Sequence, residues 1–291
     1  MRSPFRQFKN VIEYILARLF FTLMGWLPAR QASNFGGWLG RSIGPYIGRT
    51  KLARRQMAEH LPHLSEAERE TAITAMWDNL GRTLCEYPHL AKGTLVPYLD
   101  ISGVEFIAQA KASPTSMLFF TAHLGNWETM PLASALYGLK FHIVYRPPNN
   151  PLIDQLLDRI RMTYGAGHYG KGREGARGFM RAITKGEAIG IVVDQKDNEG
   201  ALLPFLGSPA MTMTSAAKLA LKYRLMVIPA RSIRRRGIEQ EVIFYPPLVL
   251  PEGEDESAIL ALTQQFNDLI SVWVREHPEQ WFWLHRRWPK K

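Results

Sequence analysis

The sequence predicts an α/β fold, a mainly parallel central sheet flanked by helices and preceded by an N-terminal hydrophobic helix. Short, nearly continuous apolar runs of β-like composition stand at 116–121, 141–145, 188–193, 226–230 and 241–245. Helical patterns occupy the intervals at 127–137, 151–163, 174–185 and 212–223, and strands that are apolar along their whole length belong to a sheet covered on both faces. Ahead of this alternation, residues 11–28 are apolar apart from Glu13, Arg18 and Thr22.

Taken in order, the first element is the N-terminal one. As a helix, 11–28 would be about 27 Å long, close to the roughly 30 Å hydrocarbon core of a bilayer. Arg2, Arg6 and Lys9 lie just upstream, on what would be the cytoplasmic side. The stretch is long and interrupted by charge, and no small-x-small cleavage site follows it, which argues against a signal peptide. Residues 1–30 therefore read as an uncleaved membrane-anchoring helix, spanning or interfacial, with an ordinary buried helix as the rival. Residues 31–291 read as a single α/β domain.

Residues 31–92 are helical in pattern. Ser65 with Glu66 and Glu68 is a helix start, and Ile73, Met76, Trp77 and Leu80 then recur at the spacing of a core face. Arg49, Lys51, Arg54 and Arg55 form a basic run that reads as a solvated face first and a head-group contact second. The tail, 257–276, is a further amphipathic helix ending before Pro278.

Composition narrows the function classes. Among 291 residues there is one cysteine, Cys85, so a disulfide-stapled scaffold is excluded, and its helical setting marks an inert buried thiol. Lys and Arg total 36 against 26 Asp and Glu, a formal charge of +10 that favours anionic partners. The eight tryptophans tilt that choice toward a membrane interface and away from nucleic acid. His60 and His63 read as surface histidines, and nothing in the spacing of His, Cys and acids calls for a metal or a cofactor.

Four strands lead into a charged or ionisable residue: His123, Arg146, Asp194 and Arg231. Ligands in open α/β sheets gather beyond the carboxyl ends of the strands, so these are the candidate site. His123 carries the strongest signal. It follows a strand, a Gly-containing turn comes next, and Glu128 lies five residues on in an expected first helical turn. That placement suits a carboxylate holding an imidazole that acts as general base. No serine, cysteine or threonine lies inside the run, so the pair suits activation of an acceptor hydroxyl without an acyl-enzyme.

The run His123-Leu124-Gly125-Asn126-Trp127-Glu128 resembles the His-x-x-x-x-acid box of the lysophospholipid acyltransferase superfamily, and its Glu variant resembles the bacterial lipid A late acyltransferases (lauroyl and myristoyl transferases). Further blocks agree in order and spacing: Val144-Tyr145-Arg146-Pro147 with Asn150-Pro151-Leu152, Val193-Asp194-Gln195, 203–210, and the C-terminal run from Trp281 to Trp288. Phe205-Leu206-Gly207 stands where relatives often carry Phe-Phe-Gly. The resemblance implies a glycerolipid-acyltransferase-like fold and an inner-membrane enzyme with its catalytic domain on the cytoplasmic side. It implies acyl transfer from acyl carrier protein, or coenzyme A, to a hydroxyl of a hydroxyacyl chain on a Kdo-bearing lipid A precursor. His123 would be the base and Glu128 would orient it, while Arg146, Arg159 and Asp194 would position substrate. A lysophospholipid, a glycolipid or an ornithine-type lipid is the alternative acceptor. Arg173, Arg177, Arg181 and Lys185, every four residues on one helix, suit an acidic carrier protein or an anionic membrane if they are more than a solvated face. The 204–210 run would line an acyl groove or form a plain loop, and the C-terminal aromatic–basic cluster would sit at the membrane interface.

Overall fold

A computed structural model describes residues 4–144, 148–165, 167–169 and 173–289. Four helices come first: α1 (Pro4–Trp26), α2 (Ala29–Ile43), α3 (Thr50–His60) and α4 (Glu66–Ala91). The alternating region then runs β1 (Leu99–Ser102), α5 (Val104–Ala112), β2 (Met117–Thr121), α6 (Thr129–Leu136), β3 (Phe141–Val144), α7 (Pro151–Arg161), β4 (Gly167–Tyr169), α8 (Arg173–Thr184) and β5 (Ala188–Val192). It closes with β6 (Lys196–Phe205), β7 (Ser208–Thr212), α9 (Ser215–Lys222), β8 (Met226–Arg236), β9 (Glu239–Phe244) and α10 (Glu256–Glu276).

The main sheet has the order β1-β9-β8-β2-β5-β3-β4, parallel throughout except for the β8–β9 hairpin. The central strand β2 is buried along its full length, as its unbroken apolar run requires. Alternate residues serve opposite faces. Phe120 stacks toward Phe266 of α10 (ring centroids 4.4 Å apart), and Phe119 packs on Phe141 (4.3 Å) on the other side.

Ser65 begins α4 as read from the sequence: its hydroxyl accepts from the Glu68 N–H, and the Glu68 carboxylate accepts from the Ser65 N–H. α2 lies tightly against α4 because glycines face each other at the crossing. A Cβ on Gly81 would stand 2.0 Å from the Gly36 carbonyl oxygen, so only hydrogen fits there. Cys85 is buried in the same region, and burial pushes its thiol up to about 12, in keeping with an inert side chain.

The structure differs from the sequence expectations in four places. Among the described residues no helix is long and apolar enough to cross a membrane, so the spanning option for the N-terminal segment is set aside. α1 instead has two apolar faces. One carries Phe21 and Met24 onto the protein, and the other leaves Ile12, Ile15, Leu16, Leu19, Leu23 and Trp26 exposed in a single stripe. The 204–210 run is neither groove wall nor plain loop: it is the turn of the antiparallel β6–β7 hairpin, with Phe205, Leu206 and Ala210 buried in the core beside α10. The C-terminal cluster is core as well. Trp281 and Trp283 are fully buried, and Arg287 donates to the Met211 carbonyl, Thr212 and Asn267. His60 stacks on Trp288 (ring centroids 3.6 Å apart) and is not a free surface histidine.

The α2–α4 contact gives a direct test. Gly81→Val forces backbone against a β-branched side chain and should cost about 3 kcal/mol of stability, the upper end for overpacking. Urea denaturation of wild type and variant measures it, and an unchanged midpoint would mean that the helices are free to separate.

Candidate active site

β2 and β5 are parallel neighbours with Thr121 beside Val192 in register. Two residues past each of those positions come His123 and Asp194, so the sheet delivers both at the same height. The Val193 N–H donates to the Thr121 carbonyl and continues the ladder to the threshold of the site (3.1 Å). His123 Nδ1 then lies 2.7 Å from Asp194 Oδ1, and the His123 N–H donates to Oδ2 at 2.9 Å. The Trp281 indole N–H donates to the same Oδ2 at 2.7 Å. Asp194 has no exposed surface. Burial alone would push its carboxyl up, but the electrostatic pull of His123 and the hydrogen bonds from it outweigh burial and hold the group well below the ordinary carboxylate range. An ionised carboxylate on Nδ1 fixes the tautomer with the proton on that nitrogen, which turns Nε2 into the acceptor. Nε2 faces the Gln195 amide at 3.5 Å.

His123 opens onto a cavity of about 470 Å³. Met130, Phe141, Ile143 and Leu157 give it an apolar wall, and Lys196, Asp197 and Glu199 lie at its polar side. The turn that carries His123 is shaped by Gly125, whose φ is +56° and whose Cβ would stand 2.2 Å from the Ser232 carbonyl oxygen. Asn126 ties the turn down through its amide to Glu86 (2.7 Å), a fully buried carboxylate that also binds the Arg234 guanidinium.

Glu128, expected to hold the imidazole, makes no hydrogen bond to His123 in the structure. It precedes α6 as the N-cap residue, and both its oxygens are engaged elsewhere. Oε1 accepts from Tyr87 (2.6 Å) and from Arg161, and Oε2 accepts from Tyr164 (3.0 Å) and from Arg161 Nε (3.2 Å). Burial opposes this carboxylate, yet the Arg161 charge and these hydrogen bonds hold its carboxyl below the usual range, while the Tyr87 and Tyr164 hydroxyls are pushed up by burial and by Glu128. The carboxylate at Nδ1 is that of Asp194, placed there by the β2–β5 register. Glu128 and Arg161 both line the cavity, as a buried ion pair.

An imidazole held by an acid at a strand end, beside a cavity with an apolar wall, is an arrangement that can accept a proton from a hydroxyl. The whole-chain comparison decides the family: residues 4–290 match the profile of the bacterial lipid A biosynthesis acyltransferases. The chain belongs to that family. This acyltransferase is 26% identical to the lipid A biosynthesis lauroyltransferase of Escherichia coli over 90% of this chain and 86% of that one. It is 24% identical to the E. coli palmitoleoyltransferase (97% and 95% covered) and to a lipid A biosynthesis acyltransferase of Haemophilus influenzae (92% and 85%). The 1-acyl-sn-glycerophosphate acyltransferase PlsC of Thermotoga maritima overlays with a TM-score of 0.41 at 11% identity, covering 97% of this chain and all of that one.

Of the other residues expected in the acyltransferase site, Arg146 lies outside the described residues. Arg159 is exposed on α7, and it is Arg161, two residues on, that reaches the cavity. Arg231 does not end a strand: β8 continues through it to Arg236, and its guanidinium pairs with Glu276 of α10. Arg161, Trp281, Glu86 and Arg234 were not anticipated. Arg161 had a visible signal, a charge set beside the apolar stripe Ile153, Leu157 and Ile160 of its own helix.

Glu128→Gln leaves the Arg161 guanidinium buried without its counter-charge and should cost about 3–5 kcal/mol of folding stability. Glu128→Gln combined with Arg161→Met should recover most of it. Denaturant midpoints for the pair test this, and a single variant as stable as wild type would show that the ion pair does not hold α6 to α7.

Proposed function

We propose that the protein transfers a fatty acyl group from acyl carrier protein, or from coenzyme A, to the hydroxyl of a hydroxyacyl chain on a Kdo-bearing lipid A precursor. The observation that carries this reading is His123, held by Asp194 at Nδ1 and presenting Nε2 beside an apolar cavity. Nε2 takes the proton of the acceptor hydroxyl as its oxygen attacks the thioester carbonyl carbon. The new C–O bond forms, the C–S bond breaks, and the imidazolium returns the proton to the departing sulfur. Asp194 stabilises the imidazolium through that cycle. The acyl chain lies along the Met130, Phe141, Ile143 and Leu157 wall. Glu128 acts by fixing Arg161 and Tyr87, which line the cavity. The relatives' names, lauroyltransferase and palmitoleoyltransferase, support a fatty acyl donor and a lipid A-type acceptor.

Arg146, two residues beyond the end of β3 in sequence, and the exposed Arg159 are the proposed contacts for phosphate or sugar carboxylate, groups that a guanidinium matches with a planar fork of donors. Arg177, Arg181 and Lys185, all exposed along α8, suit an acidic carrier protein. The apolar stripe of α1 suits the plane of a bilayer, and Arg6, Lys9 and Arg18 on the same helix suit acidic head groups. On this reading the enzyme works at the cytoplasmic face of the inner membrane.

His123→Ala should abolish turnover in a protein that still melts cooperatively, at a lower temperature because buried Asp194 loses one donor, and a folded variant with wild-type turnover would sink the mechanism. In a deletion strain, mass spectrometry should find lipid A lighter by one acyl chain. Unchanged lipid A with an altered phospholipid, glycolipid or ornithine lipid would assign a different acceptor. Leu16→Glu with Leu19→Glu should abolish sedimentation with vesicles of anionic phospholipid, and undiminished binding would remove α1 from the docking surface.

A further inference from the structure

The last segment of the chain returns to the site. Residues 280–282 run beside the His123 turn, with Leu124 and Trp281 paired in an antiparallel bridge. The Gly125 N–H donates to the Gln280 carbonyl (3.2 Å), and the Phe282 N–H donates to the His123 carbonyl (3.0 Å). Between these two bonds sits Trp281, fully buried, its ring wedged by Trp283 (centroids 4.6 Å apart, near perpendicular) and Phe205 (5.5 Å). A buried indole needs an acceptor for its N–H, and a backbone carbonyl would serve. Trp281 instead reaches Asp194 Oδ2 at 2.7 Å.

The other donors to that carboxylate both come from His123, its Nδ1 and its own N–H. The imidazole cannot by itself fix the carboxylate that orients it, and the His123 N–H, held by the main chain, gives Oδ2 one anchor. Trp281, reached 87 residues later in the chain and locked by other aromatics, is the donor to Asp194 that is independent of the histidine. We infer that Trp281 is a positioning residue of the acyl-transfer site, its indole N–H fixing Asp194 so that Oδ1 stays on His123 Nδ1. The inference rests on the proposed role of His123 as base.

The test is a double-mutant cycle read in kcat and KM with acyl carrier protein thioester and lipid A precursor. Trp281→Phe removes the donor and keeps an aromatic ring. Replacing Trp281 by β-(3-benzothienyl)alanine, which exchanges N–H for sulfur in an isosteric ring, separates donor loss from packing loss if the phenylalanine variant folds poorly. Either change should lower kcat by about tenfold to a hundredfold, the worth of one charge-assisted hydrogen bond, with KM for both substrates within about twofold. With Asp194→Asn already in place, the same change should lower kcat by less than about twofold, because Trp281 acts through the carboxylate. A wild-type kcat in the benzothienyl enzyme, or an equal loss in both backgrounds, would overturn the inference and leave the base assignment standing. Wild-type turnover in folded His123→Ala would overturn the base assignment, and this inference with it.

Discussion

A carboxylate with no surface in contact with water is tolerable only if donors surround it, and Asp194 imposes that requirement on the rest of the fold. Its donors come from a neighbouring parallel strand and from the far end of the chain. To supply them, β2 and β5 must be adjacent and in register, and the segment after α10 must cross back over the sheet. Any slip of one residue between β2 and β5 would turn His123 to the opposite face and leave a buried negative charge facing apolar side chains. Chemistry and folding are thus specified by the same few hydrogen bonds.

Two further buried ion pairs hold the frame around this centre. Glu86–Arg234 joins α4 to β8 and, through Asn126, anchors the turn that carries the histidine. Glu128–Arg161 joins the start of α6 to the end of α7 and lines the cavity. Replacing one member of either pair strands a charge, whereas replacing both with apolar residues need not be harmful. The first pair thus bears on the histidine turn and the second on the cavity wall.

Much of this was legible in the sequence because apolar runs and strand ends obey short-range rules. The sheet, its flanking helices, the Ser65 cap and the placement of His123 and Asp194 beyond strand ends all followed from period and position. Partner choice did not. Glu128 lies near His123 in sequence, but the pairing is set by strand register, which brings a residue 71 positions away to Nδ1. Arg159 and Arg161 differ by two residues, about 200° around a helix, so choosing between them required knowing which face of α7 meets the cavity. The β6–β7 hairpin hid behind Pro204 and Pro209, which a two-stranded ribbon accepts because both of its strands are edges. Its turn uses Leu206 at φ 50° before Gly207 at 81°, without the usual Asn-Gly signal. The C-terminal tryptophans have the composition of a membrane belt and the location of a core, a distinction that composition does not make.

The attachments of α1 have a bearing on how the chain can be cut. Its exposed apolar stripe makes the helix an obvious segment to trim from a poorly behaved protein. Yet Asn150, the cap of α7, donates to Glu13 and to the Asn10 carbonyl (both 2.9 Å), and Phe21 stacks face to face on Tyr87 with centroids 5.9 Å apart. Tyr87 hydrogen-bonds Glu128, and α7 carries Leu157 and Arg161. A shortened chain would therefore lose the outer support of its substrate cavity along with the sticky surface, and the helix is better blunted by exchanging its outward side chains than removed.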